Sequence, residues 1–224
     1  MFKYETHLHT SPVSKCAREN VLDMIKRYKS LGYAGIFITN HFIDGNINID
    51  DSLSYEEKIN FYFSDYETGL KIGHELDFSV FLGIELSYKG TDFLIYGLDK
   101  KWFLSHPEIA CMKKSDELKL MIDAGALVIQ AHPFREDPWI NHIRLFPRVV
   151  HGVEVNNACR KDFENEMAKI YANAYGLIHF AGSDIHHTTQ THLAGVEFCS
   201  PISNENDFIE RIKNKDFKIF SIDV

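Results

Sequence analysis

The chain has 224 residues, enough for one large domain, with 45% hydrophobic and 25% charged residues, as in ordinary soluble globular proteins. Its formal net charge of −8 argues against non-specific nucleic-acid binding, which depends on Lys and Arg releasing counterions. An anionic substrate stays open, because bound divalent cations reverse a local field. No apolar run reaches the roughly 18–20 residues that span a bilayer, and no membrane association is expected. Met1–His7 lacks the charged start and apolar stretch of a signal peptide, so the N-terminus is expected to be retained. The four cysteines, Cys16, Cys111, Cys159 and Cys199, are scattered with no Cys-x-x-Cys, which fits a reducing cytoplasm. Cys111, Cys159 and Cys199 read as buried, inert thiols.

In chain order, Phe2–Leu8 reads as a strand. Asn20–Leu31 has apolar residues at helical spacing, closed by Gly32. Gly35–Thr39 is a continuous apolar run, as in a strand buried on both faces. Phe42–Ser54 reads as a polar loop, and Tyr55 to about Leu76 as a helix. Val80–Glu85 and Phe93–Tyr96 are strands, and Ser115–Ala124 is a helix ended by Gly125. Leu127–Gln130 and Gly152–Val155 are strands, Asp162–Tyr175 a helix ended by Gly176, and Leu177–Ala181 a strand. A helix over Glu205–Ile212 and a strand over Phe217–Ile222 follow. Strands alternating with helices imply βαβ units and a parallel sheet, and about seven such strands suit a closed barrel.

Active sites of such barrels sit at the C-terminal ends of the strands, and the metal-type ligands of this chain fall there. His7 and His9 end the first run, His41 follows the second, Glu85 the third, then His132, Asn156, and Asp184 with His186. Imidazole and carboxylate together suit Zn, Mn or Fe. His7 and His9, two apart on an extended strand, point to the same side. Histidines of an ordinary core would not choose the same end of every strand.

The ordered set resembles the PHP family, the polymerase and histidinol phosphatase domain. It comprises His7-x-His9-Thr10, Ile38-Thr39-Asn40-His41, Gly83-x-Glu85, Ala131-His132-Pro133 and Gly182-Ser183-Asp184-x-His186. The resemblance covers about residues 1–190. It implies a single α/β domain over 1–224, a distorted, TIM-like (β/α)7 barrel that the C-terminal helix and strand complete. It also implies two or three divalent metal ions per chain. By resemblance, His7, His9, Glu85 and Asp184 hold one metal. Glu85 bridges to a second, completed by His132 and Asp92, and His41 and His186 serve a third with Cys16. Where many members have Thr-Asp-His this chain has Thr39-Asn40-His41. Where trinuclear members often place His or Asp after the first motif it has Cys16. The His expected after the Glu strand is missing, with Asp92 the nearest substitute and His106 a weaker one.

The expected reaction is hydrolysis of a phosphate ester by a hydroxide bridging two metals, with Glu85, Asp184 and His132 at the catalytic centre. Arg135 either grips phosphate oxygens or pairs with Glu136 or Asp137. Lys15 and Arg18 are further anion-binding candidates whose alternative is solvated charge. Glu154 and Asn156 are candidates to orient ligand histidines, with ordinary strand-end hydrogen bonding as the alternative for Asn157. Phe42, Tyr88 and Trp139 lie beside ligand loops and either wall the pocket or pack. The substrate class is a small phosphate ester, and a short oligonucleotide is also admitted. The competing readings are a metal-dependent amidohydrolase or deacetylase, which commonly adds a carboxylated Lys on a mid-barrel strand, and a non-catalytic accessory domain. No strand here has a central Lys.

Overall fold

The computed structural model describes residues 1–224. The strands are β1 (Phe2–Glu5), β2 (Gly35–Ile38), β3 (Ser79–Tyr88), β4 (Thr91–Tyr96), β5 (Leu127–Ala131), β6 (Gly152–Asn157), β7 (Ile178–Gly182), β8 (His192–Phe198) and β9 (Lys218–Asp223). The helices are α1 (Val21–Ser30), α2 (Tyr55–Glu75), α3 (Lys100–Ser105), α4 (Lys114–Asp123), α5 (Asp162–Tyr175) and α6 (Glu205–Lys213). They form one sheet of order β7-β6-β5-β4-β3-β2-β1-β8-β9. β1 to β7 curl until the chain beyond β7 meets the chain beyond β1. There Ile185 N donates to His7 O (3.1 Å) and His9 N to Ile185 O (3.0 Å).

A buried carboxylate joins the same two segments. Glu5 Oε1 accepts from the backbone N–H of Thr6 (3.0 Å), His7 (2.9 Å) and Ser183 (2.9 Å), and Tyr28 Oη donates to Oε2 (2.6 Å). Burial pushes this carboxyl up from its usual range, against the pull of these donors. Glu5 therefore ties the segment carrying His7 to the one carrying Asp184.

Two features depart from the parallel barrel read in the sequence. β4 is antiparallel to both β3 and β5. Only Lys89 and Gly90 separate the paired residues Tyr88 and Thr91, with φ of +52° and +83°. Two positive φ values are what a type I′ hairpin turn requires, so no crossover helix intervenes. β8 and α3 are also additional. β8 pairs antiparallel with the start of β1 and with β9, filling the lower part of the seam between β1 and β7.

The barrel interior is packed by Tyr4, Phe37, Phe81, Leu94, Tyr96, Ile129 and Phe180, with Phe208, Ile209 and Ile212 of α6 in the same cluster. The Phe208 ring centroid lies 4.3 Å from Phe37, 5.3 Å from Tyr96 and 6.1 Å from Phe198. A Cβ on Gly97 would come within 2.3 Å of Ile209 Cδ1, so only glycine lets α6 seat this closely. α6 thus plugs the end of the barrel opposite the ligands. The outer helices bury apolar stripes of period 3.6. α1, capped by Asn20 Oδ1 on the Asp23 N–H (3.1 Å), turns Val21, Met24, Ile25 and Tyr28 inward. No helix is long and apolar enough to cross a membrane.

Candidate metal centre

The strand ends converge on three overlapping donor sets. They are His7, Glu85 and His132; His7, His9 and Asp184; and His9, Cys16, His41 and His186. Within each set the ligand atoms lie within 4.8 Å of one another. Glu85 is central: Oε1 lies 3.2 Å from His7 Nε2 and 3.3 Å from His132 Nε2, and Oε2 lies 3.4 Å from His9 Nε2. Asp184 Oδ1 is 3.3 Å from His9 Nε2 and 3.6 Å from His7 Nε2, and its Oδ2 is 3.8 Å from His132 Nε2. His41 Nδ1 is 2.7 Å from Glu85 Oε2, yet off the line that a hydrogen bond needs. Close approach without a hydrogen bond recurs: His7 Nε2, His9 Nε2, His132 Nε2, His41 Nδ1 and Glu85 Oε2 are all buried without a partner. Buried polar atoms are rarely left so, and a cluster aimed at one point is what a cation would satisfy.

The outer ring nitrogens explain which atoms face inward. His7 Nδ1 donates to Glu154 Oε1 (3.0 Å), leaving the Nε2 lone pair for a metal. His186 Nδ1 meets the Asp184 carbonyl oxygen at 2.7 Å, and a carbonyl only accepts, so Nδ1 carries the proton. For His9 the argument runs through a network. Asn40 Oδ1 accepts from Thr10 N (2.7 Å) and from Ser14 Oγ (2.8 Å), which uses the Ser14 proton. Ser14 Oγ is then an acceptor for His9 Nδ1 (3.3 Å) and His41 N (3.1 Å). Asn40 Nδ2 donates to Thr10 Oγ1 (2.8 Å), which donates to Asp65 Oδ2 (2.7 Å), so the amide orientation is fixed. Asn40 is thus more than a tolerated change from Asp, and the carboxylate of this network comes from Asp65 of α2.

Protonation follows the packing where no other cation competes. Burial would raise both carboxyls, yet His41 and His7 hold Glu85, and His7 and His9 hold Asp184, well below the carboxylate range. Burial opposes charge on His7, but Glu154, Asp184 and Glu85 raise it well above the usual imidazole value. Burial and the neighbouring His41 and His186 push His9 down to about 3, so its ring is neutral. Burial alone would raise Cys16, but hydrogen bonds with His186 and His41 bring the thiol down to about 6. His132 (φ +27°) and Asp184 (φ +54°) sit in left-handed backbone conformations that cost about 1–3 kcal/mol each and need a rigid surround. A Cβ on Gly182 would come within 2.5 Å of His7 Cβ and 2.8 Å of Glu154 Oε1.

The structure brings together His7, His9, His41, Glu85, His132, Asp184, His186 and Cys16. Asp92 is buried at the rim, 4.0 Å from His132 Nε2. It reaches the ligand end from the start of its strand because β4 runs backwards. Arg135 makes the internal pairing weighed for it: Nε bonds Asp137 Oδ2, while Nη1 lies 3.6 Å from Asp92 Oδ2. Arg135, Arg160, Trp139, Lys89 and Cys16 help line a cleft of about 530 Å³ over the ligands.

Lys15 and Arg18 are exposed and do not line this cleft; they sit on the outer side of the first loop. His106 stacks on Trp102 (4.3 Å) away from the site. Phe42 is core, and Tyr88 borders a separate small hollow. Asn157, rather than Asn156, faces the ligands: its Nδ2 donates to Glu154 Oε2 (2.9 Å) and approaches Asp184 Oδ2 (3.4 Å). A β-bulge between Glu154 and Asn156 reverses the alternation of side chains there. Cys111, Cys159 and Cys199 are exposed rather than buried, because each falls outside the regular strands and α-helices. Arg160 escaped the sequence reading although it follows a strand end; its Nε is buried without a partner.

The fold is shared with solved structures. The first is a two-domain protein from Bacteroides vulgatus containing a predicted PHP-like metal-dependent phosphoesterase. It aligns with TM-score 0.69 and 13% identity over 98% of this chain and 64% of that one. The chain shares the fold of that protein. A family described as PHP-associated matches residues 162–217, from α5 through α6, a stretch that carries Asp184 and His186. PsfC from Pseudomonas syringae aligns with TM-score 0.61 and 16% identity over 100% of this chain and 93% of its own. An amidohydrolase from Chromobacterium violaceum, with bound sulfate and no metal, aligns with TM-score 0.54 and 12% identity over 96% and 97%. This chain spans just under two thirds of the Bacteroides protein. Among curated proteins, none matched the sequence.

Proposed function

We propose that this chain is a metal-dependent hydrolase of phosphate esters, acting on small molecules. The observation that carries the reading is the set of buried, unpartnered donor atoms in the barrel mouth: His7 Nε2, His9 Nε2, His132 Nε2, His41 Nδ1 and Glu85 Oε2. His7, His9, Glu85, His132 and Asp184 would hold two divalent cations, of the Zn, Mn or Fe type, with Asp92 beside them. Two such cations lower the pKa of a shared water and stabilise the attacking and leaving oxygens of an in-line displacement.

The chain supplies the remainder. Glu154, Ser14 and the Asp184 carbonyl each hold the proton of one imidazole on its outer nitrogen, so the inner lone pairs stay available. Arg135 and Arg160 both line the cleft, where guanidinium groups can clamp non-bridging phosphate oxygens. Arg160, with no internal partner for Nε, is the freer of the two. The Arg135 guanidinium sits 5.1 Å from the Trp139 ring, which stiffens it. Hydrolysis of an amide is the competing chemistry; none of the strands β2 to β7 carries a lysine.

The test pairs elemental analysis of the purified protein with turnover of p-nitrophenyl phosphate, bis-p-nitrophenyl phosphate and an acetylated amine, with Mn or Zn added. Bound metal with phosphate-ester turnover is expected, and the preferred ester separates monoesterase from diesterase. Bound metal with turnover of the amide alone would replace this reading.

A further inference from the structure

We propose that the corner of the centre bounded by Cys16, His41 and His186 is a thiolate-bearing metal position. It would favour a soft ion of the zinc type, while the two carboxylate-bearing positions take harder ions. The inference rests on the metal-centre reading above and concerns its internal inequality. Of the three donor sets, this one alone contains sulfur, and it has no carboxylate among its own four donors, with Glu85 Oε2 beside it at 2.7 Å from His41 Nδ1. The other two each carry a carboxylate, from Glu85 or Asp184. Thiolate with imidazole selects zinc-like ions, whereas carboxylate-rich sets suit manganese and its harder relatives.

The corner is built for a ligand, since His9 Nε2 and His41 Nδ1 are buried and unpartnered. The His186 ring is turned by the Asp184 carbonyl so that Nε2 faces inward. Cys16 lines the cleft beside His41 and His186. With His9 as fourth donor the set is three imidazoles and one thiolate, four ligands of the types that zinc takes in tetrahedral sites. His9 also belongs to the set with His7 and Asp184, so filling one position biases its neighbour. The nearby Cys159 lies outside this donor set although it also neighbours His186: its Sγ donates to the Asp184 carbonyl (3.2 Å) and approaches Gln190 Oε1 (3.4 Å). It therefore serves as the control thiol.

The experiment loads metal-stripped full-length protein with Co(II), and reads the thiolate-to-cobalt charge-transfer band in the near ultraviolet alongside bound cobalt by elemental analysis. Wild type and Cys159→Ser should show the band. Cys16→Ser should lose it, together with a single ion per chain. Cys16→Asp should regain that ion without the band, which guards against a merely misfolded serine variant. In a Zn and Mn mixture, wild type should retain both metals, and Cys16→Asp should shift the balance to Mn. Cobalt bound without the band in wild type, or a band that survives in Cys16→Ser, would overturn the proposal and leave the metal centre standing. No cobalt bound to folded wild type would overturn both.

Discussion

Replacing Glu154 by Gln isolates the part of the site that touches no metal. The carboxylate accepts three hydrogen bonds: His7 Nδ1 on Oε1 (3.0 Å), and His132 N (3.1 Å) and Asn157 Nδ2 (2.9 Å) on Oε2. A glutamine has the same shape but one oxygen. If that oxygen faces His7, the amide N–H groups confront two donors and leave both unsatisfied. If it faces His132 and Asn157, the amide points at His7, whose proton must move to Nε2, the atom aimed at Glu85 and Asp184. Loss of such an outer partner costs about 10- to 100-fold in metal affinity, or about 1.4 to 2.8 kcal/mol at 1.4 kcal/mol per tenfold. Competitive titration of stripped protein against a chelating dye measures this, with a melting curve to show that the variant folds. Wild-type affinity in folded Glu154→Gln would refute the tautomer argument.

Four further outcomes are expected. Asp184→Ala should abolish phosphate-ester turnover and lower metal content with the fold kept; full activity would remove Asp184 from the centre. Arg160→Ala should lower kcat/KM about 10- to 100-fold, the loss of one charge-assisted hydrogen bond of about 1.5–3 kcal/mol, with metal content unchanged. Metal in hundredfold excess over its dissociation constant stabilises by about 2.7 kcal/mol, or about 5–10 °C at this chain length; a chelator should lower Tm by that amount. With Cys111, Cys159 and Cys199 changed to Ser, Cys16 in stripped protein should be alkylated as its thiolate forms, with reactivity rising with pH through a midpoint near the value of about 6. A midpoint at the ordinary thiol value, roughly 8.5, would show that His41 and His186 do not act on it.

Much of the site was legible because each ligand rides at the end of an apolar run. A period of two put His7 and His9 on one side, and strand ends placed His41, Glu85, His132 and Asp184 together. What escaped depends on backbone events with weak local signatures. The β4 reversal hangs on a Lys-Gly turn, where Lys89 lacks the Asn or Asp that usually marks such a hairpin. The Asn156-for-Asn157 exchange comes from one bulge. Arg160 became visible only once the loop after β6 was seen to fold over the ligands. The role of α6 was also hidden, since the amphipathic stripe of Phe208, Ile209 and Ile212 would suit an outer helix equally well.

Because Phe208 and its neighbours seal the far end, the barrel is a blind well rather than a tunnel. Whatever it processes arrives and departs through one mouth, past Arg135 and Arg160. On the proposed function, a released phosphate would have to clear the same guanidinium groups that would draw the substrate in. If the proposed reaction holds, inorganic phosphate should compete directly with substrate, because entry and exit share that mouth.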